Sequence, residues 1–127
     1  MRRTLLVLTG ILACAVLASA GTAAAKPAAK TCTTNSKNVI GHTVTGTLTA
    51  SNVNSAQAQY ATCSQARKIM NQVTGLRIEE PESVVGFSCV PLVTKTRPDV
   101  VHYTCTFKGA DTPMFVKLTF TVKYDLD

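Results

Sequence analysis

The chain has no tryptophan, only two histidines, and seven acidic residues against thirteen basic ones. It has no G-x-S-x-G elbow, no H-E-x-x-H helix and no glycine-rich phosphate loop, so the common hydrolase and nucleotide-binding signatures are missing. It has no C-x-x-C pair, and His42 and His102 are far apart, which leaves no ligand spacing for a structural zinc site. The basic residues do not cluster and few aromatics interleave with them, which argues against nucleic acid as a partner. Glu79, Glu80 and Glu82 are the densest group of neighbouring carboxylates. They flank Pro81 in a polar stretch without an apolar pocket to shift a pKa, so they read as a solvated charge run. The expectation is a non-enzymatic protein without metal or cofactor.

Only one long apolar run is present, at residues 4–18, after the basic start Met1-Arg2-Arg3. Small residues follow at Ala18, Ser19 and Ala20. This order of basic, apolar and small segments is that of a secretory signal peptide. The run is short of the roughly 20 apolar residues of a membrane-spanning helix. Cleavage after Ala20 is expected, with Ala25 as the alternative, and no second run would hold the remainder in a membrane. Ile11-Leu12-Ala13-Cys14 also matches a lipobox in part, which would make Cys14 the lipid anchor of a cell-wall-associated lipoprotein. Leu12 stands where a small or β-branched residue is usual, and the apolar run continues past Cys14, so an ordinary cysteine in a discarded signal fits better. The expected location is secreted, outside the cell.

Beyond the signal lies a single-domain length with four cysteines, Cys32, Cys63, Cys89 and Cys105. An even count in an exported chain reads as two disulfides, with three possible pairings. Removing Arg2 and Arg3 from the formal charge of +6 leaves 11 basic residues against 7 acidic ones, or +4.

Residues 21–37 are rich in Ala, Lys and Thr and lack an apolar period, so a flexible leader is expected there. In 38–50, Val44, Gly46 and Leu48 alternate with Thr43, Thr45, Thr47 and Thr49, which predicts a strand, with Gly46 marking a bulge or a close approach. Residues 55–74 carry the one helical pattern, through Tyr60, Cys63, Ala66 or Arg67, Met70 and Val73, widened by Ile69. Two starts compete: Asn54 with Gln57, or Thr62 with Gln65 after a separate turn. Gly75 is the expected left-handed terminator. An exposed acidic connection at 77–83 then leads to three strands. Residues 84–92 put Val85, Phe87 and Cys89 on one face. Residues 100–108 do so with Val101, Tyr103, Cys105 and Phe107, and residues 115–124 with Val116, Leu118, Phe120, Val122 and Tyr124. The predicted fold is α+β: one helix packed on a four-stranded, mostly antiparallel sheet in the order strand-helix-strand-strand-strand, within a single domain at 38–127.

A hairpin centred on Arg97 would set Cys89 directly opposite Cys105, on the same face as Phe87 and Phe107. Opposed residues in a non-hydrogen-bonded pair are close enough for a disulfide. The favoured pairing is therefore Cys89–Cys105 with Cys32–Cys63. The other pairings stay open, because both sheet cysteines face the helix that carries Cys63.

Two surfaces are candidates for binding. The outward sheet face carries His102, Thr104, Thr106, Lys108, Lys117, Thr119, Thr121 and Lys123, with Val84 and Val90 at the same parity. It suits a protein or a polyanionic cell-wall polymer as partner, although a solvated face with edge lysines looks much the same. The 95–99 turn, braced by Cys89–Cys105, would expose Lys95 and Arg97 on a rigid basic loop, the form a secreted protease inhibitor would use, with Lys95 as its specificity residue.

Thr62-Cys63-Ser64-Gln65-Ala66-Arg67-Lys68, Gly86-Phe87-Ser88-Cys89 and Tyr103-Thr104-Cys105 give a helical C-x-x-A-[RK], a G-[FW]-x-C strand and a later cysteine strand. In these motifs the chain resembles a broad set of uncharacterised small secreted actinobacterial proteins over about residues 60–124. The resemblance implies an exported disulfide domain and supplies no catalytic residue. Cys32 and the longer segment before the helix depart from the simplest members.

Overall fold

The computed structural model describes residues 29–125; the segment read as a signal peptide, the expected cleavage positions and Cys14 lie outside them. The strands are β1 (Ala29–Asn35), β2 (Thr43–Ser51), β3 (Glu82–Val84), β4 (Phe87–Lys95), β5 (Val100–Lys108) and β6 (Phe115–Lys123). One α-helix, α1 (Cys63–Leu76), follows a 3-10 helix at Ser55–Ala61. The strands form one sheet in the order β1-β2-β6-β5-β4-β3, and every neighbouring pair is antiparallel.

The expected four-stranded sheet is therefore wrong: it has six strands. The first addition, β1, comes from the segment read as a flexible leader. Its alternation is only Thr31-Cys32-Thr33, too short to stand out from its Ala and Lys surroundings. Tertiary partners make it a strand. It pairs with β2 from Ala29↔Thr49 to Asn35↔Thr43, and Cys32 is bonded to Cys63 of α1. The second addition, β3, comes from the acidic connection and pairs with the start of β4 through Glu82↔Cys89, Ser83↔Ser88 and Val84↔Phe87. Between them Val85 and Gly86 both have positive φ, 52° and 81°, so they make a two-residue hairpin turn where a continuous strand was expected. Val85 thus leaves the face of Phe87 and Cys89. Val84 is turned inward and buried, so it does not belong to the outward face.

Both capping signals are used. Asn54 accepts a hydrogen bond from Gln57 N at the 3-10 helix, and Thr62 accepts one from Gln65 N at α1. The far end differs from the expectation. Gly75 stays helical, and Arg77 (φ 50°) takes the left-handed position. The Arg77 guanidinium is held there by Asp99 at 3.0 Å and lies 5.0 Å from the centre of the Tyr124 ring.

The helix buries Ala66, Ile69, Met70 and Val73 against the inner sheet face, where Val44, Leu48, Leu118, Phe120 and Val122 lie. Burying each large side chain of this kind contributes about 1.5–3 kcal/mol. Gly46 marks a close approach: a Cβ there would lie 3.0 Å from both Leu118 Cδ1 and Met70 Sδ. Under the helix C-terminus the Tyr103 hydroxyl donates to Ile78 O at 2.6 Å and lies 2.7 Å from the Tyr124 hydroxyl.

Both disulfides have the favoured pairing, Cys32–Cys63 and Cys89–Cys105. Cys89 and Cys105 are register partners with their Cα atoms 4.0 Å apart, the closeness of a non-hydrogen-bonded pair. That fixes the alternation along β4: Cys89, Pro91 and Val93 direct their backbone polar groups away from β5. β3 covers only the Cys89 end of this edge. Further on, Pro91 offers no N–H and a register shift at Val93/Lys95 breaks the ladder, so the edge is a poor template for another strand. The opposite edge, β1, is covered by the helix, whose Arg67 Nε donates to Thr33 O at 3.0 Å.

Candidate functional site

The outward face is wider than the sequence suggested, because β1 and β2 lie beside β6. Register aligns its side chains in ranks that cross the sheet. One rank runs Thr31, Thr47, Thr119, Thr104, Val90 from β1 to β4. The next runs Thr49, Lys117, Thr106, Ser88, Ser83. On the other side of the first, Thr33 pairs with Thr45, while Thr121 pairs with His102 and His102 with Leu92. Neighbouring strands are about 4.8 Å apart, so the hydroxyls form a close-spaced field. Few of them are tied up: Thr33 and Thr45 Oγ1 are 3.4 Å apart, Thr49 Oγ1 donates to Lys117 O at 3.4 Å, and His102 Nδ1 is 2.7 Å from Thr121 Oγ1.

Of the residues singled out from the sequence, this face brings together His102, Thr104, Lys117, Thr119 and Lys123. Lys95 joins them, because after the register shift it pairs with Val100, whose other neighbour is Lys123. Lys108 faces Phe115 at the opposite end. The threonines of β1 and β2 were missed as members of the site. Their T-x-T spacing was visible, but nothing in the sequence placed β2 against β6.

The charge of the molecule is unevenly spread. Setting aside Arg2, Arg3, Lys26 and Asp127, which lie outside the described residues, thirteen basic and seven acidic residues become ten and six, a net +4. Four of the ten, Lys95, Lys108, Lys117 and Lys123, lie on the outward face, and none of the outward-facing strand residues is acidic. The other six basic residues are matched in number by Glu79, Glu80, Glu82, Asp99, Asp111 and Asp125. The excess positive charge of the described chain is thus carried by one face.

Arg97 is apart from this field, in the turn between β4 and β5, with φ 58°. That turn is tight and tethered. Thr94 Oγ1 donates to Val100 O at 3.2 Å, Tyr124 N donates to Asp99 O at 2.9 Å, and Asp99 holds Arg77. Lys95 sits in the ladder and Arg97 in a left-handed turn, so the loop presents no extended run of residues.

Two other places carry polar groups of interest. Lys37, Asn38, Gly75, Arg77 and Asp125 line a concavity of about 270 Å³ at the end of α1. Arg77 Nε is buried without a hydrogen-bond partner. Charges of both signs meet there, and the last helix carbonyls add negative potential, so the site has no clear preference for an anion. Beneath it, burial pushes the pKa of the Tyr103 hydroxyl well above the ordinary tyrosine value, and burial also raises Tyr124. Both therefore act as neutral hydrogen-bonding groups. Among the described residues no group of three or more His, Cys, Asp or Glu side chains gathers in a way that would hold a metal ion, and no helix is long and apolar enough to cross a membrane. No family model, curated protein or solved structure matches the chain.

Proposed function

We propose that this chain is an exported, non-enzymatic binding module that works at or outside the cell envelope, with the outward sheet face as its binding surface. The observation that carries this reading is the concentration of the excess positive charge on that face, over a field of threonine hydroxyls. A lysine pair at each end attracts an anionic partner at long range, and close-set hydroxyls then offer both donors and acceptors. Export is supported by the signal-like segment at the start of the sequence and by two disulfides, which persist in oxidising surroundings.

The test is capture from culture filtrate and envelope material on the immobilised, oxidised protein, beside a Lys117→Glu/Lys123→Glu variant. The wild type should retain a component that the variant loses. Equal capture by both removes the sheet face from the mechanism.

A further inference from the structure

From the layout of the outward face we infer that its partner is an acidic polysaccharide: a chain of sugars that carries anionic groups at intervals. This rests on the binding-face reading above and narrows it to one class of ligand. Lys95 and Lys123 flank Val100 on adjacent strands at one end. Lys117 and Lys108 lie near each other at the other, since Lys117 pairs with Thr106 and Lys108 with Phe115. From Lys117 to Lys123 along β6 is six residues, about 20 Å of strand. Between the two pairs lie Thr104, Thr119, Thr121 and His102, polar side chains that hydrogen-bond without formal positive charge on the threonines.

A partner that fits this pattern has negative charge at intervals and hydroxyls between. A densely charged polymer without hydroxyls would lay carboxylates over the threonine field, where no lysine meets them. Single-stranded nucleic acid would need several exposed aromatic planes for its bases; Tyr103, Phe120 and Tyr124 are turned into the core, and this face offers only the half-buried Phe115 at the Lys108 end. The cationic groups are all lysine, point charges that do not impose the planar, bidentate geometry of arginine. They tolerate a ligand whose anionic groups vary in orientation, as on a flexible glycan. Threonine hydroxyls both donate and accept, which matches sugar hydroxyls without demanding one stereochemistry.

The experiment is titration calorimetry of the oxidised protein at low salt with three length-matched probes: hyaluronan oligosaccharides (acid and hydroxyls), dextran (hydroxyls alone) and poly-glutamate (acid alone). A Thr104→Val/Thr119→Val variant removes two central hydroxyls while keeping β-branched strand residues. Hyaluronan should bind more tightly than either control. The threonine variant should weaken it about tenfold, the loss of two modest hydrogen bonds, and leave poly-glutamate unchanged. If poly-glutamate binds as tightly as hyaluronan and the threonine variant changes neither, the polysaccharide assignment is overturned while the basic face survives. If neither acidic probe binds, or Lys117→Glu/Lys123→Glu leaves binding intact, the face itself is not the binding surface and both readings fall together.

Discussion

Tyr103 and Tyr124 show how much one pair of atoms can commit a fold to a protonation state. Their hydroxyls meet at 2.7 Å inside the core, and Tyr103 donates to Ile78 O, so Tyr124 supplies the proton between the rings and both phenolic protons are used. Burial, the main cause of the raised pKa in each, disfavours the phenolate. A folded-state pKa above the unfolded value of about 10 means that the unfolded chain loses its protons first. The contribution is complete below pH about 10 and drains away as pH rises beyond it, by at most about 1.4 kcal/mol per pH unit for a tyrosine that stays protonated in the fold. Urea unfolding between pH 9 and 11.5 should show this decline, and Tyr103→Phe should make it shallower. An unchanged slope in that variant would mean that Tyr103 does not stay protonated in the fold. The pairing was half legible in the sequence. Parity put both side chains on the inward face, but only the register of β5 and β6 together with the path of Ile78 brings the two hydroxyls together.

At the scale of elements, the β3–β4 hairpin is the feature most at odds with its sequence. A two-residue turn with both residues at positive φ favours Asn-Gly or Asp-Gly, and this one is Val85-Gly86. Valine is β-branched, and a left-handed conformation costs such a residue about 1–2 kcal/mol. Val85 is also exposed, so little burial would be lost by replacing it. Val85→Asn should therefore raise stability by about 1 kcal/mol, read as a higher urea midpoint at constant slope. A lower midpoint would show that the valine packs against something worth more than its strain. The same conflict explains why β3 was not legible: a turn written with valine looks like strand. α1, β5 and β6 were legible because each has a sustained period in its own residues, and a hairpin centred on Arg97 favoured the Cys89–Cys105 bridge without excluding the other pairings. β1 was not, because its stability comes from partners distant in sequence, namely the β2 ladder, Cys63 and Arg67.

For the molecule as a whole, the decisive property is where charge sits, which composition cannot express. A net charge of +4 spread evenly would make a weak, orientation-free attraction to any polyanion; the same charge on one face makes a dipolar molecule that presents that face first. Two double variants separate these cases. Lys117→Glu/Lys123→Glu strips the outward face, and Lys30→Glu/Lys68→Glu alters exposed lysines on β1 and α1, away from it. Both lower the net charge by the same amount. If total charge governs, the two should leave a cation exchanger at the same salt concentration. If the face governs, the first should elute well before the second, and the second should stay close to the wild type. The gap should shrink as salt rises, since screening shortens the reach of the face to about 10 Å at 0.1 M ionic strength. Coincident elution at every salt concentration would mean that the clustering has no effect at the distances where partners are first met. The outward face would then be an ordinary solvated sheet surface, with its lysines there to keep neighbouring molecules apart.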